Sequence, residues 1–308
     1  MKHVSFFPLL VGFVLTSHCL AADGWLGFFP GQSPDEYRES KTIHDSTTLS
    51  WLEPFEQQGR DVLAQSAFHG VDCEGVYRHH LQGICTNESD RIFWCFTTTL
   101  VTTDASGKVV RKIPVENHHG DLCYHDGKLY VAVNHGRFND PQGKADSWVY
   151  VYDAGDLSFV SKHETPEVFH GAGGIAYHGK RFIVIGGLPD GVEENYAYEY
   201  DPDFAFVKKH VINSGHTRLG IQTAAYADGH WWFGCYGSAL LKTDASFKLT
   251  GRYNFDCGIG IAPAGAGRFL VGRGGRTDDG RTGSVLLAHS DEKRGLVVQK
   301  KGTQKVQP

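Results

Sequence analysis

The amino-acid sequence predicts an all-β protein: a five-bladed β-propeller preceded by a signal peptide and an N-terminal arm. Three observations predict this fold: a hairpin motif that occurs five times, a regular spacing of aspartates in turns, and 38 glycines against a single methionine. Glycine serves tight turns and weakens helices, so this composition favours short strands joined by turns.

The recurring hairpin motif is clearest in residues 117–131. It begins with a histidine-rich segment, continues as a short apolar strand and an Asp-Gly turn, and ends in a second apolar strand. Asp-Gly between two apolar runs is a strong hairpin signal, because glycine accepts the positive φ that a tight turn requires. The motif returns, less regularly, in residues 174–184, 223–233, 83–94 and 260–271.

Each repeat contains four short strands, and the third and fourth are joined by a turn that begins with aspartate. Four of these aspartates are separated by 49, 48 and 43 residues: Asp104, Asp153, Asp201 and Asp244. In the fifth repeat, residues 289–291 take that place. A period of about 40 to 50 residues with four strands per unit is typical of propeller blades, so five repeats predict five blades. The aspartates are predicted to accept backbone N–H groups in their turns.

The segment before the first repeat predicts export. Residues 1–22 combine a short basic start, an apolar stretch and small residues at the end, which is typical of a secretory signal peptide. We therefore expect a secreted or periplasmic protein with no membrane span in the rest of the chain. A strand within residues 69–77 is expected to close the ring of blades. The predicted division is 1–22 signal peptide, 23–78 N-terminal arm or cap, 79–300 propeller and 301–308 tail.

Charge and cysteine content restrict the expected partners. A net charge of −5 without a long basic run argues against nucleic acid, so we expect a monomer that meets a small polar molecule or a glycan. Cysteines form disulfides in an oxidising compartment, but in apolar strands a reduced cysteine packs as a small hydrophobe. Both states stay open, with Cys85 and Cys123 as the first pair to test. The six cysteines concerned are Cys73, Cys85, Cys95, Cys123, Cys235 and Cys257.

Loop length predicts which face of the propeller carries function. Strands alternate in direction, so the links between blades share one face with the connections between second and third strands. That face also receives the long loops predicted at 134–147, 186–195 and 272–283, whereas the other face has only short turns. Loops longer than a turn requires are usually used for binding.

The links between blades are rich in histidine. Four of them place a histidine at nearly the same point of the repeat: His80, His119, His170 and His216. A ring of neutral imidazoles near a carboxylate would suit a divalent cation (Zn, Mn, Fe or Ca), with Asp121, Gln82 and Gln222 completing or orienting the ligands. Two alternatives stay open: a metal-free polar pocket in which one histidine is a general base, and a structural tunnel filled with water.

The long loops bring further polar groups to the same face. Candidate substrate-binding residues are Asn134, His135, Arg137, Gln222, Arg273 and Arg276. Mixed charge with aromatic neighbours suits a polar organic ligand such as a sugar, a lactone or a peptide end, and the alternative is that these loops are merely solvated. The sequence contains neither a Gly-x-Ser-x-Gly nucleophile motif nor a His-Glu-x-x-His zinc motif.

The blade starts and turns resemble those of a known family. His80-Leu81-Gln82-Gly83-Ile84, followed by Asp-Gly and Asp-x-x-x-Lys turns over residues 80–290, is similar to plant-type and bacterial glutamine cyclotransferases. The resemblance implies a secreted five-bladed propeller. That family carries its key carboxylate in an Asn-Glu-Leu-Glu-type segment, whereas residues 220–224 read Gly-Ile-Gln-Thr-Ala, so the resemblance implies the fold and not the activity. Metal-dependent oligogalacturonate lyases also hold a divalent ion with histidines, but their propellers have seven blades. The similarity to them is therefore an analogy only.

Together these features predict an exported hydrolase or lyase that uses a metal ion to act on a carbohydrate or another small polar substrate. The four histidines would hold the ion, which would acidify a water molecule or polarise a carbonyl. Asp121, His119 and Gln82 are the candidate catalytic residues. The alternative is a non-catalytic propeller that binds a glycan or a protein, and the third reading is an enzyme like the glutaminyl cyclotransferases.

Overall fold

The computed structural model describes residues 70–265 and 267–299. The predicted signal peptide, most of the predicted arm and the predicted tail lie outside the described residues. The described part of the chain consists of 21 strands joined by turns and loops. It contains no helix that is long and apolar enough to cross a membrane.

The strands form five sheets, which confirms the predicted five-bladed β-propeller. Blade 1 comprises β2 (Gly83–Thr86), β3 (Arg91–Phe96), β4 (Thr99–Asp104) and β5 (Val109–Pro114). Blade 2 comprises β6 (His119–His125), β7 (Lys128–Asn134), β8 (Ser147–Asp153) and β9 (Phe159–Glu164). Blade 3 comprises β10 (Ala172–His178), β11 (Arg181–Gly186), β12 (Asn195–Tyr200) and β13 (Phe206–Ile212). Blade 4 comprises β14 (Arg218–Ala227), β15 (His230–Tyr236), β16 (Ala239–Asp244) and β17 (Leu249–Tyr253).

Blade 5 is assembled from both sides of the described chain. Its members are β18 (Ile261–Pro263), β19 (Arg268–Thr277), β20 (Gly280–Asp291), β21 (Gly295–Val298) and β1 (Gly70–Asp72). The long strand β20 pairs with β1 through Ser284–Leu286 and with β21 through Ala288–Asp291. The outer position of this blade is therefore divided between two strands. The strand predicted within residues 69–77 is confirmed as β1.

Hydrophobic contacts between neighbouring blades hold the ring together. The buried side chains form five clusters, one at each interface between adjacent blades. Phe93 of blade 1 and Leu129 of blade 2 share one cluster, and Ile185 of blade 3 and Phe233 of blade 4 share another. Each such side chain contributes about 1.5–3 kcal/mol on burial, so the interfaces supply most of the stabilisation. All six described cysteines are free thiols in this structure.

The aspartates at the start of the last turn in each blade have the predicted structural role. The Oδ1 atom of Asp104 accepts hydrogen bonds from the backbone N–H groups of Ser106 (2.9 Å) and Lys108 (3.1 Å). The equivalent carboxylate oxygens of blades 2, 3 and 4 accept backbone N–H groups in the same way, at Asp153, Asp201 and Asp244. The repeated aspartate therefore closes the turn between the third and fourth strands.

Two of the three long loops predicted on one face are confirmed, and the third prediction is wrong. Residues 135–146 join β7 to β8, and residues 187–194 join β11 to β12. Residues 272–283 instead extend the β19–β20 hairpin, in which Arg276 pairs with Arg281 and Thr277 with Gly280 around a two-residue turn. The ladder of pairs therefore continues outward from Gly272↔Val285 to Thr277↔Gly280. This extension is called the β19–β20 ribbon below.

Candidate functional site

The five inner strands β2, β6, β10, β14 and β18 surround the propeller axis, and Asp121 of β6 lies among them. Its side chain is enclosed, with 1% of the residue exposed. The Oδ2 atom accepts a hydrogen bond from the backbone N–H of Ala224 on β14 (3.2 Å). A methyl group added to Gly83 of β2 or Gly174 of β10 would press against Asp121. One carboxyl group of blade 2 thus contacts the inner strands of blades 1, 3 and 4.

The burial of Asp121 changes its ionisation. Removal from water raises the pKa of this carboxyl well above its ordinary value, and the backbone N–H donors, with Ala224 first, only partly oppose the shift. The carboxyl therefore favours its neutral form inside the ring. The structure places Asp121 within the packed centre, where it links blades, and gives it no exposed surface toward a ligand.

His119, the second candidate catalytic residue, is a buried residue between blades 1 and 2. Its Nε2 atom is hydrogen-bonded to the Tyr152 hydroxyl (2.8 Å), and its ring packs edge-on against Tyr150 with centroids 5.2 Å apart. Burial lowers the pKa of His119 to about 4, so the imidazole is neutral at neutral pH. The ring is fully buried against two tyrosines of the cluster between blades 1 and 2.

The remaining histidines of the predicted ligand set each bond within their own region. The Nδ1 atom of His170 is 3.1 Å from the carbonyl oxygen of Asp140, and that of His216 is 3.0 Å from the carbonyl oxygen of Val192. Burial and then the charge of Arg281 lower the pKa of His80 to about 4.

No group of three or more His, Cys, Asp or Glu side chains within residues 70–265 and 267–299 is arranged to hold a metal ion. The structure does not bring His80, His119, His170 and His216 together as a common ligand set. The reason is local: His119 begins a strand and points between blades, whereas His170 and His216 precede their strands and bind loop carbonyl groups.

At the mouth of the channel, one hydrogen bond connects blade 1 with blade 4. The Tyr236 hydroxyl at the end of β15 donates to the Oε1 atom of Gln82, which precedes β2 (3.3 Å). Gln82 is itself fixed, because its backbone N–H donates to the carbonyl oxygen of Cys95 (2.7 Å). Burial, and then the charge of Asp256, raise the pKa of Tyr236 to about 12, with Arg218 acting in the opposite direction. Tyr236 therefore keeps its proton at neutral pH.

Arg273 lies at the base of the β19–β20 ribbon and shares Asp256 as a neighbour with Tyr236. Its Nη1 atom donates to the carbonyl oxygens of Asp256 and Gly272, both at 2.8 Å, and its guanidinium group packs 5.6 Å from the centre of the Phe255 ring. Its Nε atom is buried and has no hydrogen-bond partner among the described residues. Burial lowers the pKa of Arg273, while Asp256 opposes that change. The guanidinium is held in place through Nη1, and its Nε donor has no partner in the described structure.

The other predicted substrate-binding residues are distributed around this face. Asn134 is buried and organises its loop, because its Nδ2 donates to the carbonyl oxygen of Gly136 (2.9 Å) and its Oδ1 accepts from the N–H of Asp146 (3.0 Å). Gln222 is buried, and its Nε2 atom donates to the carbonyl oxygen of Leu219 (2.6 Å). The side chain of Arg137 is 74% exposed, and Arg276 is exposed on the ribbon.

His135 belongs to a different cavity, which the sequence did not predict. This blade 1–2 pocket has a volume of about 500 Å³ and is lined by Glu116, Asn117, His118, His135, Asp146, Trp148, Tyr150 and Lys162. The Tyr150 hydroxyl is its centre: it donates to Glu116 Oε2 (2.9 Å) and lies 3.1 Å from His135 Nε2 and 3.4 Å from Lys162 Nζ. The alternating aromatic residues of β8 were a signal for this wall, but only the fold brings Glu116 and Lys162 to it.

Comparisons with known proteins identify no family for this chain. No protein family model matches the sequence, and no curated protein matches it. Among solved structures, a glutaminyl cyclase of Myxococcus xanthus is similar over 73% of this chain and 100% of its own, with 17% identity and a TM-score of 0.49. A Bacteroides caccae protein of unknown function is similar over 71% of this chain and 81% of its own, with 13% identity and a TM-score of 0.44. The computationally designed Ika4 protein is similar over 56% of this chain and 96% of its own, with 13% identity and a TM-score of 0.35.

Proposed function

We propose that the protein binds a small polar molecule carrying a carboxylate at the mouth of the propeller channel. The observation that carries the proposal is Arg273, whose guanidinium is fixed by two backbone carbonyl groups through Nη1 while its buried Nε has no partner in the described structure. A buried donor without an acceptor costs free energy, which a ligand acceptor would recover if a small outward shift of the β19–β20 ribbon admits it to Nε. The edge of a guanidinium that contains Nε matches a carboxylate in two parallel hydrogen bonds.

The other groups at the channel mouth suit the rest of such a ligand. Tyr236 supplies a neutral hydroxyl and Gln82 an amide, both of which donate and accept hydrogen bonds. Their own hydrogen bond is long, at 3.3 Å, so a ligand hydroxyl or amide can replace it at little cost. Sugar acids and amino acids combine a carboxylate with such groups, and the export predicted from residues 1–22 would expose the protein to both.

A catalytic role as a hydrolase or lyase is the second candidate, and Tyr236 is the observation that favours it. The Tyr236 hydroxyl is protonated at neutral pH and already donates to Gln82 Oε1 (3.3 Å), so it can act as a general acid toward a leaving group placed there. In this form the reaction uses Tyr236 as proton donor and Arg273 to hold the carboxylate of the substrate. This reaction would take place at the channel mouth and does not require the four histidines predicted as metal ligands.

The binding proposal is tested by isothermal titration calorimetry with matched pairs of ligands. Galacturonate and glucuronate are compared with galactose and glucose, and pyroglutamate and an N-terminal glutaminyl dipeptide extend the panel to peptide ends. We expect each carboxylate to bind more tightly than the neutral sugar it is paired with, and this difference in affinity to be lost in Arg273→Gln. Arg273→Gln should weaken binding by roughly 10- to 100-fold, the range expected for a hydrogen bond between charged groups.

The control is Arg276→Gln, which removes an exposed arginine from the same strand and should leave the affinity unchanged. Arg273→Lys keeps the charge but loses the paired donors, so it should recover only part of the affinity. Equal binding of galactose and galacturonate, or wild-type affinity in Arg273→Gln, would refute the proposal. Any ligand that binds is then assayed for turnover with wild-type protein and Tyr236→Phe.

A further inference from the structure

The blade 1–2 pocket is separate from the channel mouth. Its lining comes from the link between the blades, the β7–β8 loop and the strands β8 and β9. Gln82, Tyr236 and Arg273 do not contribute to it. Its volume is about 500 Å³, and it is a shallow groove that is largely open to solvent. A ligand here would be recognised by groups that the proposed carboxylate site does not use.

The pocket has a preorganised aromatic wall. The Trp148 indole N–H donates to Asp146 Oδ1 (2.7 Å), and the backbone N–H of Asp146 is in turn bound by the Asn134 side chain (3.0 Å). Tyr150 is buried against the interface between blades 1 and 2, and its hydroxyl is fixed by Glu116. Side chains that are already held in place lose little conformational entropy on binding, which favours a ligand.

The rim of the pocket mixes hydrogen-bond donors with acceptors. Glu116 and Asp146 supply carboxylates, and each has one oxygen engaged by an aromatic residue of the wall. Lys162 supplies an ammonium group 4.5 Å from the centre of the Trp148 ring, and His135 lies 3.5 Å from Glu116 Oε2. The Glu116 side chain is 66% exposed, so its second oxygen is open to a ligand.

Opposite charges at this rim favour one class of ligand. Two carboxylates face one ammonium group, so the rim as a whole disfavours a simple anion, and Lys162 offers a donor that a simple cation cannot use. Hydroxyl groups donate to carboxylates and accept from an ammonium or an imidazole, so a ligand with several neighbouring hydroxyls satisfies both kinds of group. We propose that the blade 1–2 pocket is a second ligand site, independent of the channel mouth, which binds a neutral sugar residue through hydrogen bonds to Glu116, Asp146 and Lys162.

Blade 3 provides a matched control for this proposal. There the Tyr196 hydroxyl donates to Glu194 Oε1 (3.0 Å), and Lys209 lies 4.3 Å from the centre of the Tyr196 ring. This arrangement repeats the Tyr–Glu and Lys–aromatic contacts of the pocket on a different blade. Glu194→Gln and Lys209→Met therefore make the same chemical changes as Glu116→Gln and Lys162→Met at a place outside the proposed site.

The experiment is saturation-transfer NMR on the full chain with glucose, galactose, mannose and N-acetylglucosamine at millimolar concentration. At least one sugar should receive saturation, and Glu116→Gln and Lys162→Met should each weaken its binding by about fivefold or more, as expected for loss of a hydrogen bond to a charged group. Glu194→Gln, Lys209→Met and Arg273→Gln should not change it.

The proposal would be overturned if none of the four sugars received saturation, or if a zwitterion such as glycine bound in place of every sugar. It would also be overturned if the variants at Glu194 and Lys209 weakened sugar binding as much as those at Glu116 and Lys162. Circular dichroism of each variant checks that the fold is retained. Because Arg273→Gln disables only the channel mouth, failure of the carboxylate site and failure of the pocket are measured separately.

Discussion

Replacing Asp121 with asparagine tests the electrostatics of the propeller axis. Asparagine has nearly the shape of aspartate and keeps an oxygen for the N–H of Ala224, but it cannot ionise. The native carboxyl has 1% exposure and a pKa raised well above 3.8 by burial. We therefore expect Asp121→Asn to be tolerated at acidic pH and to become more stable than the wild type as the pH rises.

The sign of this change follows from proton binding. Above about pH 3.8 the unfolded chain releases the Asp121 proton, whereas the folded chain retains it until its own, higher pKa is reached. The folded state then binds more protons than the unfolded state, so the contribution of Asp121 to the wild-type free energy of unfolding decreases with rising pH. The free energy of unfolding of Asp121→Asn minus that of the wild type should rise by about 1.4 kcal/mol per pH unit within that window.

The measurement is urea unfolding of both proteins at several pH values between about pH 4.5 and pH 7.5, taken as a difference so that other titrating groups cancel. Asp121→Ala separates charge from hydrogen bonding, because it also leaves the Ala224 N–H without an acceptor and should be less stable than Asp121→Asn by about 1–3 kcal/mol at every pH. A difference between asparagine and wild type that is flat, or that falls with rising pH, would show that the buried carboxyl is ionised in the folded protein.

Three further predictions concern stability. Burial lowers the pKa of His119 from 6.5 to about 4, so the contribution of its neutral ring to the free energy of unfolding is complete above pH 6.5 and is lost as the pH falls toward 4. The melting temperature of His119→Phe should therefore vary less with pH over that interval than the melting temperature of the wild type. Gly83→Ala should destabilise the fold by about 1–3 kcal/mol in urea unfolding, since the added methyl meets Asp121, while Gly274→Ala on the exposed ribbon should cost less. Leu296→Ala should cost about 2–5 kcal/mol by the same assay, because Leu296 is buried between blades 4 and 5; a loss below 1 kcal/mol would mean that β21 contributes little to closure.

The architecture could be predicted from the sequence because the patterns that indicate it are local and repeated. An Asp-Gly hairpin and an aspartate turn depend on neighbouring residues, so their period revealed both the strands and the number of blades. The ribbon at residues 272–283 was predicted as a loop for the opposite reason. Glycine and arginine there have no strand pattern of their own, and only the facing strand β20 shows that the ladder continues.

The directions of side chains at the blade starts were not predictable in the same way. His119 lies inside β6, whereas His170 precedes β10, and a shift of a residue or two turns a side chain from the axis toward a neighbouring blade. Equivalent positions in a repeat therefore did not mean a shared site. The blade 1–2 pocket was missed because Glu116 and Lys162 are far apart in sequence and meet only through the packing of β9 against β8.

The divided outer position of blade 5 has a consequence for synthesis on the ribosome. Blades 1 to 4 are each made from one continuous segment, so each can pair its strands as soon as that segment has emerged. Blade 5 needs Gly70–Asp72, which is made before any other described strand, and Gly295–Val298, which is made last. The early strand must wait for its partner while more than 200 residues are translated. During synthesis the ring therefore cannot close before β20 has emerged, and a nascent chain that stalls before β20 retains an open edge.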